Sequence, residues 1–170
     1  MSAEIHYQRL NADNFTGYSL DDFVRHQTVT ECWRKIDNDW KLVPNVYEEN
    51  WSQVQCREIA EDMVHNTNLD QTGFGAFDGE RIIGFATVSH RIFGTASRYV
   101  QLVCFQISEE YRRQGIGRKL YNHVLAFAKQ SGCYNVTLNV WACNPAAMRF
   151  YESCGLLPQK VGMEKVLDRG

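Results

Sequence analysis

Apolar and polar positions switch between two-residue and helical periods several times along this chain. A first strand is expected over residues 5–10. Phe15, Leu20, Phe23 and Val24 form a stripe that predicts a helix over 14–25, with Asp13 placed to cap it. Within 28–46, Val29, Glu31 and Trp33 alternate with Thr30, Cys32 and Arg34. Asp37-Asn38-Asp39 supplies turn chemistry, and Trp40, Leu42 and Val43 follow it. This predicts a β-hairpin inserted between two helices. The second helix is expected over 52–66, where Val54, Ile59, Met63 and Val64 recur near helical spacing.

The middle of the chain reads as an antiparallel meander. Residues 74–77 form a short strand, Asp78-Gly79 is a hairpin turn signal, and 81–90 is the partner strand. Another strand is expected over 99–108. The last third changes to alternating helices and strands. Ile116, Leu120, Val124 and Phe127 fall at spacings of four, four and three, which gives a helix over 115–130 one apolar face. Gly132 suits the residue just past its end. A strand over 136–141, a helix over 145–154 stopped by Gly155, and a closing strand over 162–167 complete the pattern. The order is β-α-(hairpin)-α-β-β-β-α-β-α-β, a mixed α/β (α+β) sheet.

Composition narrows the classes. The 170 residues fit one domain, and a chain of this length buries about 70% of its unfolded surface, enough for an ordinary core. Charged residues make up 22% and the formal net charge is −2, without the basic excess of a nucleic-acid binder. No stretch approaches 18 apolar residues, and the N-terminus MSAEIHYQRL has no apolar core of a signal peptide. The expectation is a cytoplasmic protein with no membrane span. The six cysteines, at 32, 56, 104, 133, 143 and 154, form no CxxC pair and are expected as reduced thiols.

The sharpest local signal is FQISEEYRRQGIGRKL. A strand ends near Ser108 and a helix begins within the glycines. Gly115 and Gly117 lack the Cβ atoms that keep a ligand from the backbone. The first N–H groups of a helix have no partner inside it, and they sit at the positive end of its dipole. Arg112, Arg113, Arg118 and Lys119 place four cations within eight residues. Such a turn can hold a diphosphate on an otherwise acidic protein. GxxxxGK[ST] is absent, and Leu120 stands where a dinucleotide-binding loop needs its third glycine.

A second constellation lies in LNVWACNPAAMRFYESCGLLP. Asn144 before Pro145 is a helix start with an Asx cap and proline at the first position. Tyr151 stands seven residues on, two turns along the same face. Taken singly, Asn144 reads as a cap and Tyr151 as a core aromatic. Together the two stretches resemble the GNAT superfamily of acetyl-CoA-dependent N-acetyltransferases. The pattern [RQ]-x-x-G-x-[GA] is met by Arg112-Arg113-Gln114-Gly115-Ile116-Gly117, after a strand ending in Phe105 and Ile107. The pattern N-x-x-A-x-x-[FL]-Y-x-x-x-G-[FL] is met by Asn144, Ala147, Phe150, Tyr151, Gly155 and Leu156. The resemblance is firm over 74–167. Residues 11–70 match only in element order.

The resemblance implies a single domain over 1–170, with an acceptor-side region over about 11–70 and a coenzyme-binding core over about 74–167. It implies a mostly antiparallel sheet with helices on both faces and a splayed central strand pair. The main chain of Phe105, Gln106 and Ile107 would meet the pantetheine arm of acetyl-CoA in that splay. The N–H of Ile107 would polarise the thioester carbonyl. The backbone around Arg112, Arg113, Gln114, Gly115, Ile116, Gly117 and Arg118 would hold the diphosphate. Asn144 would bond the arm, cap its helix, or both. Tyr151, protonated at neutral pH, would be the general acid for the departing thiolate. No metal is implied. The expected acceptor is a small-molecule or peptide primary amine, and a homodimer is compatible with the pattern. The general base stays open. Some members carry Glu at the position of Gln101, but an uncharged amide cannot usefully accept the amine proton; Glu31, His26 and His90 are candidates, as are a relaying water and an amine that arrives deprotonated. Glu31, Trp33 and Trp40 of the hairpin would lie beside the acceptor. The alternative is a non-catalytic acyl-CoA sensor of the same fold, for which Gln101 is the sequence support.

Overall fold

The alternating segments of the middle of the chain pair into one sheet. The structure is a computed structural model that describes residues 4–11, 13–14, 31–44, 71–93, 97–142, 144–165 and 167. The strands are β1 (His6–Arg9), β2 (Glu31–Ile36), β3 (Asp39–Pro44), β4 (Gln71–Asp78), β5 (Arg81–Phe93), β6 (Ser97–Ile107) and β7 (Asn135–Leu138). The helices are α1 (Ile116–Gln130) and α2 (Pro145–Ser153), with a 3-10 turn at Glu109–Tyr111. The helices expected over 14–25 and 52–66 fall outside the described residues, apart from residue 14, which lies in a turn. The chain divides into two compact units. One is Met1–Thr28 with Asn50–Asn139, and the other is Val29–Glu49 with Val140–Gly170.

In the first unit five strands run in the order β1-β4-β5-β6-β7. All neighbours are antiparallel except β6 and β7. This is the mixed, mostly antiparallel sheet that the pattern predicts. Asp78 and Arg81 are the last pair of the β4–β5 hairpin, and Gly79 takes φ +61 in its two-residue turn. Residues 72–77 and 82–89 are buried without a break, so both faces of these strands are covered.

α1 covers one face. Ile116, Leu120, Tyr121, Val124 and Ala128 are its buried positions. Phe127 meets Phe74 edge-on at 5.6 Å and His90 at 4.9 Å, and lies under the Arg9 guanidinium. Val88, Val100 and Leu120 are fully or almost fully buried, each contributing about 1.5–3 kcal/mol of burial. The helix ends as Gly132 predicts. Gly132, at φ +68, donates to Lys129 O, and Cys133 donates to Ala128 O. These two bonds form the glycine stop that satisfies the last carbonyls.

β6 carries a bulge just past the end of its pairing with β7. Its parallel pairing with β7 runs from Tyr99↔Asn135 to Leu102↔Leu138 and stops. At the next residue the β5–β6 register slips: Val88 faces Leu102, Thr87 faces Cys104, and Val103 is the extra residue. A bulge of this kind bends and over-twists its strand. Thr87 Oγ1 accepts from the Cys104 N–H at 3.1 Å and repairs the ladder there. β6 then continues to Ile107 past the end of β7, so this edge of β6 has no strand partner among the described residues beyond Leu102.

In the second unit β2 and β3 form the expected hairpin. Asp37 and Asn38 take φ +51 and +65, the two left-handed residues that a tight two-residue hairpin loop needs. α2 begins at Asn144 and ends on Gly155 at φ +91, where Leu156 donates to Tyr151 O and Gly155 to Glu152 O. The closing strand expected at 162–167 does not form within the described residues 162–165, which take no regular secondary structure. Val161 and Met163 are 84% and 93% exposed. Apolar alternation makes a segment fit for a sheet but does not supply the neighbouring edge. Cys104, Cys133 and Cys154 are free thiols.

Candidate active site

Strand register decides which way the main chain of β6 faces. Ser108 N–H donates to Ile83 O at 2.8 Å, and Phe85 pairs with Gln106 and Thr87 with Cys104. In an antiparallel ladder such groups alternate. The main chain of 104, 106 and 108 therefore faces β5, and that of 105 and 107 faces the side where β7 has ended. The N–H of Ile107 points to that side. Its carbonyl accepts from Arg112 Nε at 2.9 Å. Gln106, expected to offer main chain to the arm, spends it on Phe85, so what it presents is its side chain. Gln106 Oε1 is buried and has no hydrogen-bond partner among the described residues. A buried acceptor left in that state costs about 1–3 kcal/mol.

The turn after β6 is built residue by residue. Tyr111 N–H closes on Ser108 O, and Arg112 N–H on Glu109 O. Arg113 then takes φ +60, a left-handed conformation that costs a non-glycine residue about 1–2 kcal/mol. Gly115 follows at φ +78 as N-cap of α1, where open space surrounds its missing Cβ. The first bond back along α1 is Lys119 N–H to Gly115 O at 3.2 Å. The N–H groups just before it have no upstream helical carbonyl and face outward at the positive end of the helix. Arg112, Arg113, Arg118 and Lys119 are exposed around this mouth, whereas Ile116 is buried and anchors it.

The residues expected to bind coenzyme from Phe105 to Arg118 thus form one continuous strand end, turn and helix start. An open strand edge followed by outward N–H groups, with a buried acceptor at Gln106, fits a long ligand with amide groups and a diphosphate. Asn144 and Tyr151 belong to the second unit. Asn144 Oδ1 accepts from Ala147 N–H at 3.2 Å, so its capping role is present. Tyr151 is half-buried on α2 with its ring against Phe150 at 5.3 Å. Gln101, at the position where some members carry Glu, pairs with Ser89 and Thr137 on the face of β6 opposite α1. His90 packs against Phe127 on the α1 face. Glu31 lies on β2 opposite Pro44, and His26 falls outside the described residues, as do the side chains of Trp33 and Trp40.

Sequence reasoning missed a group behind the turn. Tyr111 OH donates to Asp78 Oδ2 at 2.6 Å, and Arg81 Nη2 meets Glu110 Oε1 at 2.8 Å. The bond to Asp78 raises the Tyr111 phenol above its usual range, with burial and the nearby carboxylate charge adding to it. Tyr111 therefore remains a donor at physiological pH. These partners lie 33 and 29 residues apart, beyond any local pattern.

Comparison with known proteins agrees with this geometry. A model of the acetyltransferase (GNAT) family matches residues 32–156. The N-alpha-acetyltransferase 30 of Schizosaccharomyces pombe is 36% identical over 122 residues, covering 71% of this chain and 79% of that protein. The ribosomal protein bS18-alanine N-acetyltransferase of Escherichia coli (strain K12) is 32% identical over 101 residues, covering 56% of this chain and 68% of that protein. Among solved structures, aminoglycoside N-acetyltransferase AAC(6')-Iy in complex with CoA shares the fold, with a TM-score of 0.64 at 14% identity over 100% of this chain and 98% of that one. A strand edge left open past a bulge, a glycine turn at a helix mouth and these matches lead to one conclusion: the chain belongs to the acetyltransferase (GNAT) family and is an acyltransferase.

Proposed function

We propose that this enzyme moves an acetyl group from acetyl-CoA to the free α-amine of a peptide or protein, by direct attack with both substrates bound. The observation that carries the coenzyme half is the edge of β6 beyond Leu102, which runs unaccompanied by β7 into the helix mouth at Gly115. Acetyl-CoA supplies the acyl group as a thioester. In this reading Phe105 and Ile107 align the arm with main-chain groups, and the turn from Arg112 to Arg118 holds the diphosphate. The Ile107 N–H faces the thioester oxygen, and the Gln106 side chain accepts from the arm. On the family motif, Tyr151 donates the proton to the leaving sulfur and Asn144 adds a bond to the arm.

The acceptor half rests on two arguments. The two sequence relatives described above are named for acetylation of an α-amine or of a ribosomal-protein alanine. Gln101 is an uncharged amide where some members carry Glu, so it takes no proton from the nucleophile. A peptide α-amine, with a pKa of about 7.7–8.0, is roughly 25–40% neutral at pH 7.5, whereas a lysine near 10.4 is about 0.1% neutral. A site without a carboxylate at this position favours the amine that arrives deprotonated.

The test is thiol release from acetyl-CoA by the purified protein. The panel comprises peptides with free N-termini, the same peptides N-blocked but carrying lysine, and aminoglycosides. Release with the free N-termini, rising with pH up to about 8, is expected. Release only with the blocked lysine peptides or the aminoglycosides would refute the acceptor assignment. Tight CoA binding with no release from any amine would point to the sensor reading.

A further inference from the structure

The turn that faces the coenzyme contains a strained residue. Arg113 holds φ +60. A non-glycine residue keeps such a conformation only where its surroundings over-determine it. Three bonds come from the adjoining chain and from the hairpin behind it. Arg112 Nε reaches back to Ile107 O at 2.9 Å, and Gln114 Nε2 to Glu110 O at 3.1 Å. Tyr111 OH reaches across to Asp78 Oδ2 at 2.6 Å. Arg81 adds a fourth restraint, with Nη2 at 2.8 Å from Glu110 Oε1 and its guanidinium 5.9 Å from the Tyr111 ring centre.

Asp78 and Arg81 are well placed as anchors. They are the final cross-strand pair of the β4–β5 hairpin, whose two strands are buried through 72–77 and 82–89. We propose that Asp78 and Arg81, acting through Tyr111 and Glu110, are positioning residues for acetyl-CoA, clamping the turn so that the N–H groups at the mouth of α1 stand aimed before the diphosphate arrives. This inference rests on the coenzyme reading above. The clamp touches no substrate. The Arg81–Glu110 pair is 44% and 58% exposed, and exposed pairs contribute little to global stability. Its effect lies in orientation. It draws the Glu110 carboxylate toward the hairpin and away from an incoming anion. It also limits the ordering that binding would otherwise have to impose on the turn.

The experiment compares CoA binding by calorimetry with amide hydrogen exchange, for the full chain and its variants. Tyr111→Phe removes the donor and keeps the ring under Arg81. Asp78→Ala removes the acceptor. Asp78→Asn keeps an acceptor oxygen and should restore most of the affinity. Tyr111→Phe and Asp78→Ala are each expected to weaken CoA binding about tenfold. Exchange should quicken at residues 113–118 while residues 120–130 of α1 stay protected. Combining Arg81→Glu with Glu110→Arg should recover affinity that either change alone loses. CoA affinity within twofold of the unaltered protein in both Tyr111→Phe and Asp78→Ala would overturn the clamp, as would exchange rising uniformly along α1. If the unaltered protein binds no CoA, the coenzyme reading fails first and the clamp falls with it.

Discussion

Gly84 offers a direct way to push on the open-edged end of β6 from its β5 side. It lies on β5 opposite Ile107, and a Cβ placed on it would stand 2.6 Å from Ile107 Cδ1 and 3.1 Å from the Gln106 carbonyl oxygen. Its backbone is outside the left-handed region, so alanine itself is tolerated there and restricts the unfolded chain, a gain of about 0.4–1 kcal/mol. Against this, over-packing a filled site costs about 1–3 kcal/mol. Ile107 is only 9% exposed, which leaves its Cδ1 little space to swing into. The net expectation for Gly84→Ala is a loss of about 1–2 kcal/mol, or roughly 2–8 °C in Tm for a chain of this size. The two close contacts can be separated. Ile107→Val deletes Cδ1 and alone costs about 0.5–1.5 kcal/mol, but in the Gly84→Ala background it relieves the clash. The double variant should be more stable than the sum of the singles by about 1 kcal/mol. The carbonyl contact at 3.1 Å remains, so β6 stays displaced by a few tenths of an ångström at the Ile107 N–H, and turnover should not recover with stability. Denaturant unfolding gives the first quantity and thiol release the second. Strict additivity of the two substitutions, or full recovery of kcat in the double variant, would refute this account of Gly84.

Three further outcomes follow from the same geometry. Gly117→Asp puts a carboxylate in the first turn of α1, where the dipole favours it by about 0.3–1 kcal/mol; the free protein should melt no lower, while the stabilisation by acetyl-CoA disappears in a thermal-shift assay. Tyr151→Phe should lower kcat by about 10²-fold or more and leave the calorimetric CoA affinity within about twofold, because only the phenolic proton is lost. Tyr7→Phe should raise Tm by about 2–4 °C, since burial raises the Tyr7 phenol and its buried oxygen has no partner among the described residues, so removing it relieves about 1 kcal/mol; a fall in Tm would mean that the hydroxyl does have a partner.

What could be read along the chain was whatever short-range chemistry decides. Asp37-Asn38 tolerates the two left-handed residues of a tight hairpin, and it folds as one. The four-four-three spacing of Ile116, Leu120, Val124 and Phe127 names the face of α1 that packs on the sheet. Asn144 and Gly155 mark the ends of α2. Strand ends were harder. β4 starts at Gln71 and β5 runs on to Phe93, because pairing with a neighbour extends a strand past its own apolar run. The bulge at Val103 has no residue signature, since it arises from a mismatch between two strands. The bonds of Tyr111 and Arg81 join segments about thirty residues apart, and nothing in EEYRR or DGER names a partner.

On the proposed coenzyme reading, these hidden features bear on how a chain of net charge −2 would grip a polyanion. Four exposed cations surround the helix mouth, but a flexible exposed side chain contributes weakly and is screened by salt. Arg112 is in part committed to the Ile107 carbonyl. The better-defined donors are main-chain N–H groups, whose direction is fixed by backbone alone. A cradle made of backbone is specified by whatever positions that backbone. Here that means Thr87 holding the bulge, Gly84 allowing β6 to lie close, and Asp78 with Arg81 bracing the turn. In that reading, substitutions at these positions should alter coenzyme handling. Lys119, beside the mouth but outside this bracing, should tolerate replacement far better than its charge suggests.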